Sequence, residues 1–210
     1  MMPPNSVLVV VDVQNDFCSG GALAVPRGDE VVPVINALAR RFDNVVLTQD
    51  WHPAGHVSFA SSHRGKVAFD VVELAYGRQV LWPDHCVQGS PGADFHAGLD
   101  VPHAQSVVRK GYRAGVDSYS GFLEADRATP TGLAGYLSER GLTRTYIVGL
   151  ATDFCVAWTA LDARRFAFEA TVVEDACRGI DAPTVSGGTL AKAWADMTSA
   201  GVGRLTSDRV

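Results

Sequence analysis

Several things are scarce in this 210-residue chain, and each scarcity excludes something. Lysine occurs only three times (Lys66, Lys110, Lys192) against fifteen arginines, the net charge is −5, and no block of like charge exists. Without a basic stripe or an aromatic-basic surface, nucleic acid is not expected as a partner. Four cysteines (Cys18, Cys86, Cys155, Cys177) at spacings of 68, 69 and 22 form neither a CxxC pair nor a dense disulfide pattern, so reduced thiols are expected. Long apolar runs are missing too. The stretch from Val7 to Val13 is too short to span a bilayer and contains Asp12. Met1-Met-Pro-Pro-Asn-Ser has no charged segment leading into an apolar one, so no membrane association and a cytoplasmic protein are expected. No internal repeat or linker divides the chain, and a single domain over residues 1–210 is expected.

The hydrophobic fraction of 47% is sufficient for a sizeable core. Strand-like runs alternate with helical patterns. Val7–Val11 reads as a central strand buried on both faces, followed by an amphipathic helix over Asp29–Phe42 with Val31, Val34, Ile35, Leu38 and Phe42 on one side. Asn44–Gln49 is the next strand, ending at Asp50, and Ser106–Lys110 another. A short helix over Gly132–Arg140 closes at Gly141. The strand Tyr146–Val148 breaks at Gly149 and leads into a helix capped by Thr152 and Asp153 that runs on to Arg165. Ala170–Glu174 and a last helix over Pro183–Ala200 complete the series. The order predicts an α/β fold: a three-layer sandwich, mainly parallel, with helices on both faces.

Three reactive side chains stand at strand ends: Asp12, Lys110 and Cys155. In open α/β sheets, ligands bind in the crevice outside those ends. A carboxylate inside an apolar run is costly unless it is paired or used. Cys155 falls in the opening turn of a helix, where the dipole favours a thiolate, although a buried structural cysteine gives the same local pattern. As a set, the three are better explained by a site than by chance.

All six histidines lie in the irregular region of about 50–103. Asp50 and His52 can fan from a strand end toward one ion, and His85, in a loop stiffened by Pro83, is the best third ligand. His56 and His63 read as outer neighbours, and His96 and His103 as structural or exposed. Cys18 and Cys86 read as small buried apolar groups, and Asp175 and Arg178 as charges that fix a loop. Phe17, Trp82, Tyr119 and Phe154 by themselves suit a core as well as a pocket.

The segments Asp12-Val-Gln-Asn-Asp-Phe17, Gln49-Asp-Trp-His-Pro53, Trp82-Pro-Asp-His-Cys86, Lys110-Gly111, Tyr119-Ser-Gly-Phe122 and Ala151-Thr-Asp-Phe-Cys155 occur in this order. Together they resemble the nicotinamidase/pyrazinamidase branch of the isochorismatase-like cysteine hydrolases, from Val7 to about Val202. The resemblance implies Cys155 as nucleophile, Asp12 as general acid/base and Lys110 as third member of the triad. It implies Asp50, His52 and His85 as ligands of one divalent ion (zinc, iron or manganese), and Phe17, Trp82 and Tyr119 as the aromatic pocket. It also implies an oxyanion hole from the backbone N–H groups of Ala151 and Cys155, with a cis peptide at Leu150–Ala151. The activity implied is metal-dependent hydrolysis of nicotinamide to nicotinate and ammonia in NAD salvage, with pyrazinamide also accepted. Two other readings stand beside it: a different small-amide hydrolase of the superfamily, or a thiol redox or ligand-binding protein that uses Cys155. The substrate is a small molecule in the hydrolase readings, and assembly into a homo-oligomer is left open.

Overall fold

Five consecutive apolar residues, Val7 to Val11, need cover on both faces, and the fold supplies it. In the computed structural model, which describes residues 2–184 and 187–210, β1 (Ser6–Val11) is buried throughout. Its side chains alternate between two cores, as the pleat requires. Leu8 and Val10 pack with Val31, Ile35 and Leu38 of helix α1 (Val31–Ala39). Val7, Val9 and Val11 face the other way, toward Leu133 and Leu137 of α2 (Leu133–Glu139), Ala160 of α3 (Ala157–Arg165) and Met197 of α4 (Thr189–Ser199).

Strands β2 (Val45–Asp50) and β6 (Arg144–Leu150) flank β1, both parallel to it. A hairpin of β3 (Val71–Leu74) and β4 (Gly77–Val80) stands outside the main sheet. With β5 (Ser106–Lys110), β7 (Glu169–Arg178), the two-residue strands β8 (Pro183–Thr184) and β9 (Gly187–Gly188), and β10 (Gly203–Leu205), the set of strands is complete for the described residues. The main sheet runs β10-β7-β6-β1-β2-β5, with every ladder parallel. Helices cover both faces, which is the expected three-layer sandwich. Chain order departs in opposite directions from β1, so a crevice opens at the carboxyl ends around it. Among the described residues, no helix is long and apolar enough to cross a membrane.

Several local expectations change. Gly149 does not end its strand: β6 continues to Leu150, and Gly149 adopts φ 113 inside it. A Cβ there would come within 2.0 Å of the Val11 carbonyl oxygen, so only glycine lets β6 lie this close to β1. Thr152 is not the cap. The chain enters the helix at Ala151 without a side-chain cap and makes a π-helical turn, Thr152–Val156, before α3. The last helix starts at Thr189 rather than Pro183; residues 185 and 186 of the expected span lie outside the described residues. The strand expected at Ala170–Glu174 is longer, and β3, β4 and β10 carry too few alternating apolar residues to be read in advance. Gly141 does sit just past α2 with φ 66, its N–H donating to the Ser138 carbonyl.

The long region after Asp50 is laced back by the segment following β1. Gln14 donates to the carbonyls of Asp50 (2.8 Å) and Ala93 (2.9 Å) and accepts from the Asp50 N–H (2.8 Å). Asp16 accepts from the Cys86 N–H at 2.7 Å, which anchors the turn holding His85.

Candidate active site

Strand ends bring the chemistry together. Asp12 follows β1, Asp50 ends β2, Lys110 ends β5 and Cys155 follows β6; Asp50 and Lys110 are directly paired in the ladder. The Lys110 ammonium is fully buried, 2.8 Å from Asp12 Oδ2, 2.5 Å from Asp50 Oδ1 and 3.4 Å from Cys155 Sγ, and it donates to the Ser118 carbonyl at 2.9 Å. One lysine therefore joins two carboxylates and the thiol. Thr48 donates to Asp12 Oδ1 at 2.6 Å and receives the Asp12 N–H, fixing a carboxylate whose backbone has φ 47. The peptide bond Leu150–Ala151 is cis.

Burial decides the charge states here. It lifts the Asp12 pKa above its ordinary 3.8, against the pull of Lys110. Burial likewise drives the Cys155 thiol well above its ordinary range, again opposed by Lys110. The resting thiolate expected from the helix dipole is thus not what this environment favours. Sγ sits as a thiol beside a base that can take its proton. Lys110 itself is penalised by burial, but the two carboxylates outweigh that and hold it charged.

Beside this cluster lies a cradle for a cation. Among the described residues, four groups of three place potential ligand atoms within 4.8 Å of one another: Asp50/His52/His85, His52/His56/Asp117, Cys18/Asp29/His96 and Asp12/Asp50/Cys155. Hydrogen bonding separates them. Nδ1 of His52 faces the Gly111 carbonyl (2.9 Å), and Nδ1 of His85 faces the Pro83 carbonyl (2.8 Å). A carbonyl only accepts, so each Nδ1 carries the proton and each Nε2 presents a lone pair toward Asp50 Oδ2, at 3.7 and 3.9 Å. His56 has nothing to offer: its Nε2 donates toward the carbonyls of Arg113 and Val116, and its Nδ1 accepts from Ser58. His96 accepts the Gly98 N–H at Nδ1, leaving a protonated Nε2 toward Asp29. The Asp12 group is already neutralised by Lys110. Of these four groups, Asp50, His52 and His85 fit a divalent ion, with a donor set common to zinc, iron and manganese.

Gly111 is part of this fit. It has φ 65, and a Cβ would lie 2.4 Å from the His52 ring. Burial drives the His85 pKa down to about 4, helped by His52, so its imidazole is neutral and free to ligate. His52 is also penalised by burial, yet Asp50 raises it overall; a bound cation takes the place of that proton.

Cys155 of the first cluster and all three residues of the cradle border one cavity. Phe17, Trp82, Tyr119 and Phe154 line it, with Cys155 and Ala151 on one side and Asp50, His52 and His85 on another. Trp82 and Phe154 meet edge to face at 5.0 Å, and the Trp82 indole N–H donates to the Tyr119 hydroxyl at 3.1 Å. Leu23, Asp117 and Ile180 also line the cavity and were not read from the sequence, since nothing local marks them. Thr48, Gln14 and Asp16, which hold the site residues, were missed as well; the polar residues at 14 and 16 inside an otherwise apolar opening were the available signal. His63 Nε2 donates to the Val57 carbonyl and His103 Nε2 to the Ala39 carbonyl, both structural. Cys18 and Cys86 are buried free thiols; Asp175 and Arg178 lie within β7 rather than in a loop, Asp175 accepting the Ser207 N–H and Arg178 donating to carbonyls of its own strand and to Glu30.

A thiol at a strand-to-helix junction, with its own acid and lysine at neighbouring strand ends, defines a class: the cysteine hydrolases built on a parallel sheet. The chain belongs to the isochorismatase family, whose domain matches residues 6–200. It is 54% identical to the nicotinamidase of Acinetobacter baylyi, over 98% of this chain and 94% of that protein. Its fold superposes on the Acinetobacter baumanii nicotinamidase/pyrazinamidase with a TM-score of 0.97 at 56% identity, covering 100% and 99% of the two chains. The zinc complex of the Pyrococcus horikoshii pyrazinamidase gives a TM-score of 0.78 at 37% identity, covering 97% and 99%.

Proposed function

We propose that this chain hydrolyses nicotinamide to nicotinate and ammonia through a thioester on Cys155, with a divalent ion held by Asp50, His52 and His85, and so serves NAD salvage. The observation that carries the reading is that Cys155, with Lys110 3.4 Å from its sulfur and Asp12 bound to that ammonium, borders the same aromatic cavity as Asp50, His52 and His85. Relatives named nicotinamidase and pyrazinamidase, one of them in complex with zinc, support it.

The steps follow from the residues. Asp12 takes the Cys155 proton as sulfur bonds to the amide carbon and the carbonyl electrons move onto oxygen. The N–H groups of Ala151 and Cys155 receive that oxyanion; one such donor is typically worth ~2.7–4 kcal/mol. As the C–N bond breaks, Asp12 delivers its proton to the departing nitrogen, which leaves as ammonia. Water then attacks the thioester while Asp12 takes its proton, and the C–S bond breaks to give the carboxylic acid and regenerate the thiol. Lys110 keeps Asp12 in place throughout and offsets the negative charge as it passes between carboxylate and sulfur. A cation held by Asp50, His52 and His85 would supply a Lewis-acid anchor for a ring nitrogen, an orienting role. Phe17, Trp82 and Tyr119 flank the flat ring. Pyrazinamide, with the same amide and a second ring nitrogen, meets the same requirements. Four unpaired thiols support a reducing compartment such as the cytoplasm.

The test is ammonia release from nicotinamide by the metal-loaded wild type and by Cys155→Ala in parallel. Release by the wild type alone is expected. No release by either, with metal bound, moves the assignment to another small amide; equal release by both removes Cys155 as the nucleophile.

A further inference from the structure

Asp153 lies in the π-helical turn two residues before Cys155, it is buried, and nothing in the reaction uses it. Among the described residues, its carboxylate nevertheless gathers three donors from one distant segment. The Ile180 N–H reaches Oδ1 at 3.0 Å, the Asp181 N–H reaches Oδ2 at 2.8 Å, and the Thr189 hydroxyl at the start of α4 also donates to Oδ2. Asp181 in turn accepts from the Leu190 N–H at 3.2 Å, closing the loop onto α4. Ile180 is a wall of the cavity that contains Cys155. A single carboxylate therefore fastens one cavity wall to the turn that carries the thiol.

We infer that Asp153 is a positioning residue that holds Ile180 against the Cys155 turn, so that wall and thiol keep a fixed separation and an amide-bearing ring is held over sulfur. Charge-assisted hydrogen bonds to a buried carboxylate are the strong kind, and three of them resist displacement of the wall. An amide at this position keeps one accepting oxygen but turns an NH₂ group toward a donor, so at least one tie is lost. The wall then loosens and Cys155 becomes more accessible, while Asp12, Lys110 and the cation cradle stay in place. The kinetic part of this inference rests on the nicotinamide hydrolysis proposed above; the thiol part does not.

The experiment uses the metal-loaded protein with Asp153→Asn, Ile180→Ala, the double variant, and Thr189→Val, which removes one donor and leaves the carboxylate. For Asp153→Asn, KM for nicotinamide is expected to rise about tenfold, the worth of one charge-assisted hydrogen bond, with kcat within about threefold. Thr189→Val should move KM in the same direction by less. In the Ile180→Ala background, Asp153→Asn should add almost nothing, because the wall it positions is gone. Independently of activity, alkylation of Cys155 by iodoacetamide, followed by peptide mass spectrometry, should accelerate in Asp153→Asn, with Cys18, Cys86 and Cys177 unchanged as gauges of global opening. An inactive wild type would sink the proposed reaction, and the alkylation arm would still decide this inference. Equal acceleration at all four thiols, or KM effects of Asp153 and Ile180 that multiply independently, would overturn it. If Asp153→Asn does not fold, Thr189→Val with unchanged KM and unchanged Cys155 alkylation overturns it equally.

Discussion

Asp12 and Asp50 stand at the ends of adjacent strands, both buried, both bound to the same ammonium, yet they are driven in opposite directions. Burial raises Asp12 above its ordinary pKa, since it outweighs Lys110 and the Thr48 hydrogen bond and Asp50 adds to it. Asp50 meets the same burial, but Lys110, His52 and His85 together outweigh it and hold the carboxyl far below its ordinary value. Two carboxylates set apart in this way suit the two roles proposed above, a proton carrier and a permanently charged ligand. The residue type is shared; the ammonium, imidazoles and hydrogen bonds gathered around each make the difference.

The sharpest test of this contrast is to neutralise each carboxylate in turn. Asp12→Asn should lower kcat by ~10²–10⁴-fold, the usual range for a general base, while bound metal measured by emission spectrometry stays at the wild-type level. Loss of metal in that variant would erase the distinction between the two. Lys110→Met should come next in size. It leaves two buried carboxylates facing each other, and urea unfolding should show a loss of ~3–5 kcal/mol, the scale for breaking a buried ion pair. Wild-type stability in that variant would mean the ammonium does not hold the pair.

Smaller effects are expected on the ligand side. Asp50→Asn and His85→Ala should weaken metal binding by about 100-fold or more, beyond the 10–100-fold typical of residues that only support ligands, and raise KM. Full metal content in His85→Ala would remove it from the cradle.

The smallest effect is a pH slope in metal-free protein. His85 falls from its ordinary 6.5 to about 4, so between these values the unfolded chain binds a proton that the native one does not. Stability from this group is present above pH 6.5 and is lost as pH falls toward 4. His52 runs the other way, being raised, and its contribution fades as pH climbs above 6.5. Urea titrations of the chelated protein at several pH values should show a decline below pH 6.5 that His85→Gln flattens. A slope unchanged in that variant would assign the proton elsewhere.

Much of the site was legible because the fold advertises it. Val7–Val11, Val45–Leu47 and Ile147–Val148 are apolar enough to read as buried strands, and in a parallel sheet whatever follows such a run stands at the ligand-binding edge. Asp12, Asp50 and Cys155 were found in this way, and Lys110 by its rarity. Leu23, Asp117 and Ile180 were not, because a cavity wall needs no local pattern; their neighbours in space are far off in the chain. Gly149 misled for a related reason. A glycine in a β-rich run usually marks an ending, and only the approach of the Val11 carbonyl shows why this one lies inside the strand.

The sequence by itself determined the layered α/β architecture, the edge where the chemistry gathers and the residue types available there, because apolar periodicity and strand-end position are written locally. The tertiary structure alone decided which histidine lone pairs are free, which carboxylate is basic, that the thiol rests protonated, and that Asp153 ties the Ile180 wall to the Cys155 turn. Those properties come from desolvation and from donors and charges that approach from other strands and loops, and such fields have no signature in the chain until it folds.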